Sequence, residues 1–485
     1  MPELAYRSAS DLAGMIRRGE IGSVELLEHY TDRIDRMDNR VNAVVVRDFE
    51  RAFDQAVEAD KAMARGDDLG PLHGLPMTVK ESFNIAGLKT TWGVPSMKDN
   101  VAEADGVVVE RLKAAGAVIF GKTNVPYLLA DFQSYNKNYG TTHNPWAHGH
   151  TPGGSSGGGA AALAAGFTSL EYGSDIGGSI RNPAHYSGVF GHKPTYGIVP
   201  IRGHSLLPAF APADISVVGP LARSADDLAL ALQLTAGADG LHAPGWDINL
   251  PEGPKSAKGL KVALWLDDSM SPVDDRVKAR IAAAAEALAD AGAEIDDTAR
   301  PGFSPEECHA VYLRLLWSAL AARQTDEDFE QTLKRAEALA PSDESAAAAV
   351  VRAQTMRHRD WVRMNEARWA MRWAWKKLFD DYDVLLCPVA SVPAFPHDES
   401  EDMNARRLKV NGQDVPYFQQ LFWAGLTCVS YLPGTVYPAG QTPDGLPVGV
   451  QIVGPEMGDL KTIAVARMLE QIMGGFDAPP GFDQA

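Results

Sequence analysis

Between Thr151 and Arg181 the chain reads TPGGSSGGGAAALAAGFTSLEYGSDIGGSIR, and few backbones accommodate such a run. Gly153, Gly154, Gly157, Gly158 and Gly159 surround Ser155 and Ser156, while Gly173, Gly177 and Gly178 lead to Ser179. Glycine at this density permits positive φ and close backbone approach. The alanine-rich stretch between the clusters predicts a buried helix over Gly158–Ala165, and Phe167–Tyr172 predicts the strand that delivers the second cluster. A run of free backbone N–H groups ending in a serine suits acyl transfer: the hydroxyl attacks a carbonyl and the amides hold the oxyanion that forms. Glycine-serine runs elsewhere are commonly linkers. Here the run lies mid-chain between apolar segments, which argues against that reading.

A second feature acts at long range. Lys80 stands in GLPMTVKESF, at the end of the short apolar strand Met77–Val79. A lysine at the edge of a buried strand loses its charge by desolvation and becomes a base. In order, LPMTVKESF, GGSSGG and GSDIGGSIR resemble the amidase signature family, serine hydrolases of amide bonds, and Lys80, Ser155 and Ser179 fall at that family's usual spacings. The resemblance runs from about Ala9 to about Met473.

That resemblance implies Ser179 as nucleophile, Ser155 as a bridging serine in a cis peptide, and neutral Lys80 as the base that drives the proton relay. It implies an oxyanion hole from the N–H groups of Ile176, Gly177, Gly178 and Ser179, and no cofactor or metal. Asp175 and Arg181 are expected to position the nucleophile loop, as a salt bridge near the site would. Ser156 is expected to hydrogen-bond within its glycine cluster. Candidate pocket residues are Leu129, Phe132, Tyr135 and Phe422. They come from Tyr127–Phe132, the polar segment 133–150 and Tyr417–Trp423, whose aromatic and apolar content suggests an apolar acyl or aryl group.

Helices alternating with short apolar strands indicate an α/β chain. The resemblance adds a mixed central β-sheet wrapped by helices in one domain spanning 1–485. Within it we expect an N-terminal helical scaffold (1–65), a catalytic core (66–240), a helical insertion (300–377) and a C-terminal return to the sheet (380–475). Ser10-Asp11 is expected to cap the first helix, and Val384–Leu386, Cys428–Leu432 and Val448–Val453 to form late strands.

Composition excludes several partners. With 45% hydrophobic and 22% charged residues the chain is built for an ordinary core. A net charge of −18 argues against nucleic acid and anionic membrane, both of which want a basic face. Cys308, Cys387 and Cys428 are too sparse for a disulfide framework. The start lacks a signal-peptide pattern and no apolar run is long enough to span a bilayer, so a cytoplasmic monomer or homodimer is expected.

Three motifs resemble other chemistries. Gly116-AVIF-Gly121-Lys122-Thr123 matches a phosphate loop by letter, but its four intervening residues read as a strand and Pro126 precludes the long helix that should follow. Gly153-x-Ser155-x-Gly157 matches a nucleophile elbow without the apolar strand that must precede one. His148, His150, His185 and His192 lack companion ligands at metal spacing. A small amide is thus the expected substrate, and a carbamate suits the same apparatus. A glutaminase subunit of a tRNA-dependent amidotransferase is the alternative from another class. The helical insertion and the tryptophan-rich Trp361–Trp375 favour a stand-alone enzyme over that subunit.

Overall fold

The computed structural model describes residues 4–67 and 69–483; the outermost bounds of the expected 1–485 domain fall outside them. Three strands, β1 (Val44–Arg47), β2 (Pro76–Lys80) and β3 (Val118–Thr123), form a small sheet in the order β1-β3-β2. Strands β4 (Tyr135–Asn136) and β5 (Gly140–Thr141) make a minimal hairpin. The main sheet draws on β6 (Glu171–Asp175), β7 (Phe190–Lys193), β8 (Val217–Ala222), β9 (Lys261–Leu264), β10 (Glu294–Asp296) and β11 (Val384–Pro388). After a second hairpin, β12 (Arg407–Val410) and β13 (Gln413–Pro416), the chain adds β14 (Gly434–Gln441) and β15 (Pro447–Val453). Its eight strands lie in the order β10-β9-β11-β15-β14-β7-β8-β6. The pairs β10/β9 and β9/β11 are parallel and the rest antiparallel, so the sheet is mixed, and 14 α-helices accompany it among the described residues.

The seam between the two sheets positions the site. Every residue of β2, β3 and β6 is buried, and polar side chains fasten them. The Thr78 amide donates to Thr168 Oγ1 at 3.0 Å, and the Ser169 hydroxyl donates to the Pro76 carbonyl. Glu171, the first residue of β6, receives the hydroxyls of Thr78 on β2 and Thr123 on β3, the latter at 3.1 Å. Buried polar groups must find partners, and here the partners lie across the seam, on β6 or the connector before it.

The region expected to be helical over 300–377 contains four helices, Pro305–Ala321, Asp326–Ala338, Ala346–Gln354 and His358–Asp381. Ser304, Thr325 and Ser345 cap the first three, each accepting a backbone N–H three residues on. Arg368 fixes the last helix to the body: its buried guanidinium grips both oxygens of Asp214 at 2.8 and 2.9 Å.

Two expected strands are displaced. Of Cys428–Leu432, the first two residues end a helix, Leu421–Val429, the rest is a turn, and the strand comes later, at β14. Every residue of that helix is buried, so it carries no polar face and no helical period in its sequence. Phe167–Leu170 is a connector, and the strand begins at Glu171, so it includes Gly173, Ser174 and Asp175. The first helix is capped by Ser8, whose hydroxyl accepts the Asp11 amide, rather than by Ser10. The phosphate-loop lookalike is strand β3, as its apolar residues predict, followed by a short 3-10 turn.

Candidate active site

Lys80 ends β2 and is fully buried. Its Nζ lies 2.7 Å from Ser155 Oγ, 3.0 Å from Ser156 Oγ and 3.0 Å from Ser174 Oγ. None of its neighbours within ion-pairing distance is a carboxylate among the described residues. Burial pushes the amine well below its ordinary 10.5; Asp175 and Glu171 oppose this and the Arg323 charge adds to it. Three hydroxyls around a desolvated amine can exchange protons with it and cannot neutralise an ammonium.

Ser155 follows a cis peptide, Gly154–Ser155. Position 154 must be glycine: a Cβ there would lie 2.2 Å from the Asp131 carbonyl oxygen and 2.7 Å from the Gln133 nitrogen. The polar segment 133–150 therefore braces the serine loop, beyond the rim role its composition suggests. Ser134 Oγ donates to the Gly153 carbonyl at 3.0 Å and accepts the Gly157 amide at 3.1 Å. Gln133 exchanges two hydrogen bonds with the backbone of Asp398, at 2.7 and 2.9 Å.

Ser156 departs from expectation. Its hydroxyl reaches out of the glycine cluster to Lys80 and to the backbone of Ser174, 3.4 Å away, because Gly173 on β6 leaves room for it.

Ser179 sits just beyond β6 and is 8% exposed. Its hydroxyl makes no hydrogen bond to any described residue, and its carbonyl accepts the Ser156 amide at 3.0 Å. Lys80, Ser155, Ser156 and Ser174 thus form one side-chain cluster, and the backbone ties Ser179 to it. No hydrogen bond joins the hydroxyls of Ser155 and Ser179 in this structure.

Around Ser179 the amides divide into two sets. Asp175 takes the Gly178 amide at 2.8 Å and the Ile180 amide at 3.1 Å. This removes Gly178 from the expected oxyanion donors; with φ +102 it serves instead to turn the chain. The amides of Ile176, Gly177 and Ser179 have no acceptor among the described residues. Arg181 closes the loop, donating from Nε and Nη2 to Asp175 at 3.0 and 2.9 Å. Burial alone would raise the Asp175 carboxyl, but the Arg181 guanidinium outweighs it and holds the group far below the usual carboxylate range. Salt bridge and loop anchor are one structure.

The remaining candidates spread over the surroundings. The Phe132 ring edge lies 4.0 Å from where a Cβ on Gly178 would sit, beside the nucleophile loop. Leu129 packs with Trp92 and Val125. The Tyr135 hydroxyl accepts from Arg406 at 2.8 Å, next to the buried Arg406–Asp131 pair. Phe422 is 1% exposed and packs edge-on against Trp265, Trp423 and His309. Sequence reasoning missed Ser174 and Tyr312. The latter's hydroxyl donates to the Ile176 carbonyl at 3.1 Å, anchoring the helix Pro305–Ala321 to the nucleophile loop. No local motif flags either residue; only the register of β6 and the packing of that helix bring them in.

The histidines are tied elsewhere. His192 bonds Thr435 and Asp459, and His185 bonds the backbone at Val392 and Gly449. The three cysteines are buried thiols. No helix among the described residues is long and apolar enough to cross a membrane.

A serine with an accessible hydroxyl, unspent amides on either side and a desolvated lysine behind it suit acyl transfer. Comparison with known proteins agrees. The family described as Amidase matches residues 25–463. An indoleacetamide hydrolase of Bradyrhizobium diazoefficiens is 35% identical over 461 residues, covering 92% of this chain and 82% of that protein. A glutamyl-tRNA(Gln) amidotransferase subunit of Salinispora tropica is 32% identical over 99% of this chain and 100% of its own length. Among solved structures, a bacterial aryl acylamidase of the amidase signature family superposes with a TM-score of 0.82 at 25% identity, covering 97% of this chain and 96% of that one. The chain belongs to the amidase signature family and is an amidohydrolase, acting on the C–N bond of amides.

Proposed function

We propose that this protein is a stand-alone hydrolase of apolar or aryl carboxamides that works through Ser179, Ser155 and Lys80. The observation that carries the reading is the Lys80 amine, buried without a carboxylate partner and 2.7 Å from Ser155 Oγ. Neutral Lys80 takes a proton from Ser155, which takes one from Ser179 as that oxygen adds to the substrate carbonyl. The amides of Ile176, Gly177 and Ser179 receive the oxyanion. The relay then returns a proton to the departing amine, and water releases the acyl group from Ser179 by the same path. Phe132 beside the nucleophile loop supports an apolar acyl or aryl group, as does the resemblance to an indoleacetamide hydrolase and an aryl acylamidase.

A glutaminase role is favoured by the likeness to the amidotransferase component. Because that alignment spans 100% of the relative, the helical region does not set the two apart by length. Assay of the purified chain on aryl amides, carbamates and glutamine separates the readings: turnover of aryl amides by the chain alone supports ours, and glutamine hydrolysis alone overturns it. Ser179→Ala is expected to lower kcat by about 10⁴-fold or more with the fold retained, and Ser156→Ala by about 10- to 100-fold. A fluorophosphonate that labels a serine other than Ser179 refutes the assignment.

A further inference from the structure

Arg323 lies in the turn after the helix Pro305–Ala321. Every other described arginine that is at least partly shielded from solvent donates to a carboxylate or a carbonyl, Arg181, Arg223, Arg368 and Arg406 among them. The Arg323 guanidinium has no hydrogen bond or ion pair with any described residue. The preceding helix C-terminus favours a cation nearby but supplies this one no acceptor. Arg323 is only partly shielded, so its guanidinium stays open to solvent and to a ligand.

Its surroundings fix where it acts. The guanidinium carbon stands 5.1 Å over the Trp92 ring. Trp92 is mounted on the residues that follow Lys80: its amide donates to Glu81 at 2.9 Å and its indole N–H to the Ser82 carbonyl at 3.2 Å. His204, 5.3 Å from Trp92 by ring centroids, bonds the Ser82 hydroxyl at 2.9 Å. The Arg323 charge helps hold both Lys80 and His204 toward their neutral forms, behind the larger effect of burial. The helix that precedes Arg323 touches the nucleophile loop through Tyr312. Through Trp92, mounted on the residues that follow Lys80, the guanidinium is held on the base's side of the site.

Resting on the hydrolase reading, we infer that Arg323 binds an anionic group of the substrate, so that the amide this enzyme cleaves carries a carboxylate remote from the scissile bond. An apolar body with a charged end satisfies both Phe132 and Arg323. The guanidinium gives a carboxylate two parallel donors, with its carbon 5.1 Å over the Trp92 ring.

Two matched pairs test this. One is a 4-nitroanilide of adipic acid with its free carboxylate, against the methyl ester of that carboxylate. The other is N-hexanoyl-5-aminopentanoate against its methyl ester. The wild-type enzyme is expected to prefer the charged member of at least one pair by about 10-fold or more in kcat/KM. Compared at the alkaline plateau of each pH–rate profile, where Lys80 is neutral with or without the Arg323 charge, Arg323→Met should erase that preference while leaving kcat/KM for the neutral member within about 2-fold, and Arg323→Lys should keep part of it. A wild-type enzyme indifferent to the charge overturns the inference. So does an Arg323→Met variant whose pH–rate profile moves upward equally for both members with their ratio unchanged, since Arg323 would then act only on Lys80. Failure of the hydrolase reading looks different: no member of either pair is cleaved and Ser179 takes no phosphonate.

Discussion

At the scale of single residues, the site turns on which groups are denied a partner. Lys80 is surrounded by hydroxyls where a carboxylate would have made it an inert ammonium, and Asp175 is paired where a free carboxylate would have repelled an oxyanion. The expected kinetic signature follows from the depressed Lys80. Below its folded pKa the amine is protonated and cannot accept from Ser155; above it the relay is open. The rate of aryl amide hydrolysis should therefore rise with pH as Lys80 loses its proton and level off well below the ordinary lysine value of 10.5. Ser174→Ala removes one of the three hydroxyls around the amine and should move that limb by a few tenths of a pH unit, with kcat at the plateau reduced about 10-fold. A rate constant flat from mild acid to alkali would exclude Lys80 as the base.

At the scale of elements, the two glycine-serine turns are shaped by what presses on them. Gly154 meets the backbone of Asp131 and Gln133, which cannot move aside as a side chain tip can. Gly154→Ala should cost about 3 kcal/mol or more in denaturant unfolding, or prevent folding, with activity lost in whatever folds. Wild-type stability in that variant would mean that the contact is relaxed in solution. The same elements show how far sequence reasoning reaches. The strand before Lys80 and the helix after Ser155 were legible, although both are buried throughout, because a short apolar run and an alanine-rich run opened by glycines are local signals. The helix Leu421–Val429 was not, since an element buried on every side keeps no period. Nor was the Gly178 amide's engagement with Asp175, which depends on how a loop closes in space. Ser156 misled for a similar reason: its partner lies on β2, far away in the chain.

At the scale of the whole molecule, the base and the nucleophile belong to different sheets, and Glu171 spans the seam between them. Burial raises its carboxyl from the ordinary 4.5 to about 8, against the pull of Thr78, Thr123 and Lys80. The folded protein thus keeps a proton that the unfolded chain has already released. The stability this confers is complete below about pH 4.5 and is lost as pH rises through about 8, at about 1.4 kcal/mol per pH unit between. Lys80 works in the opposite sense, so the test is comparative: Glu171→Gln, which cannot ionise, should lose less stability than wild type between pH 6 and 9 in urea titrations. Parallel curves for the two proteins would show that Glu171 is already ionised in the folded protein at pH 6.

The seam has an operating consequence. Alkali frees the amine that starts the reaction and, near pH 8, charges the carboxyl that keeps amine and serine in register. The same rise in pH that awakens the base therefore loosens the mount on which base and nucleophile meet.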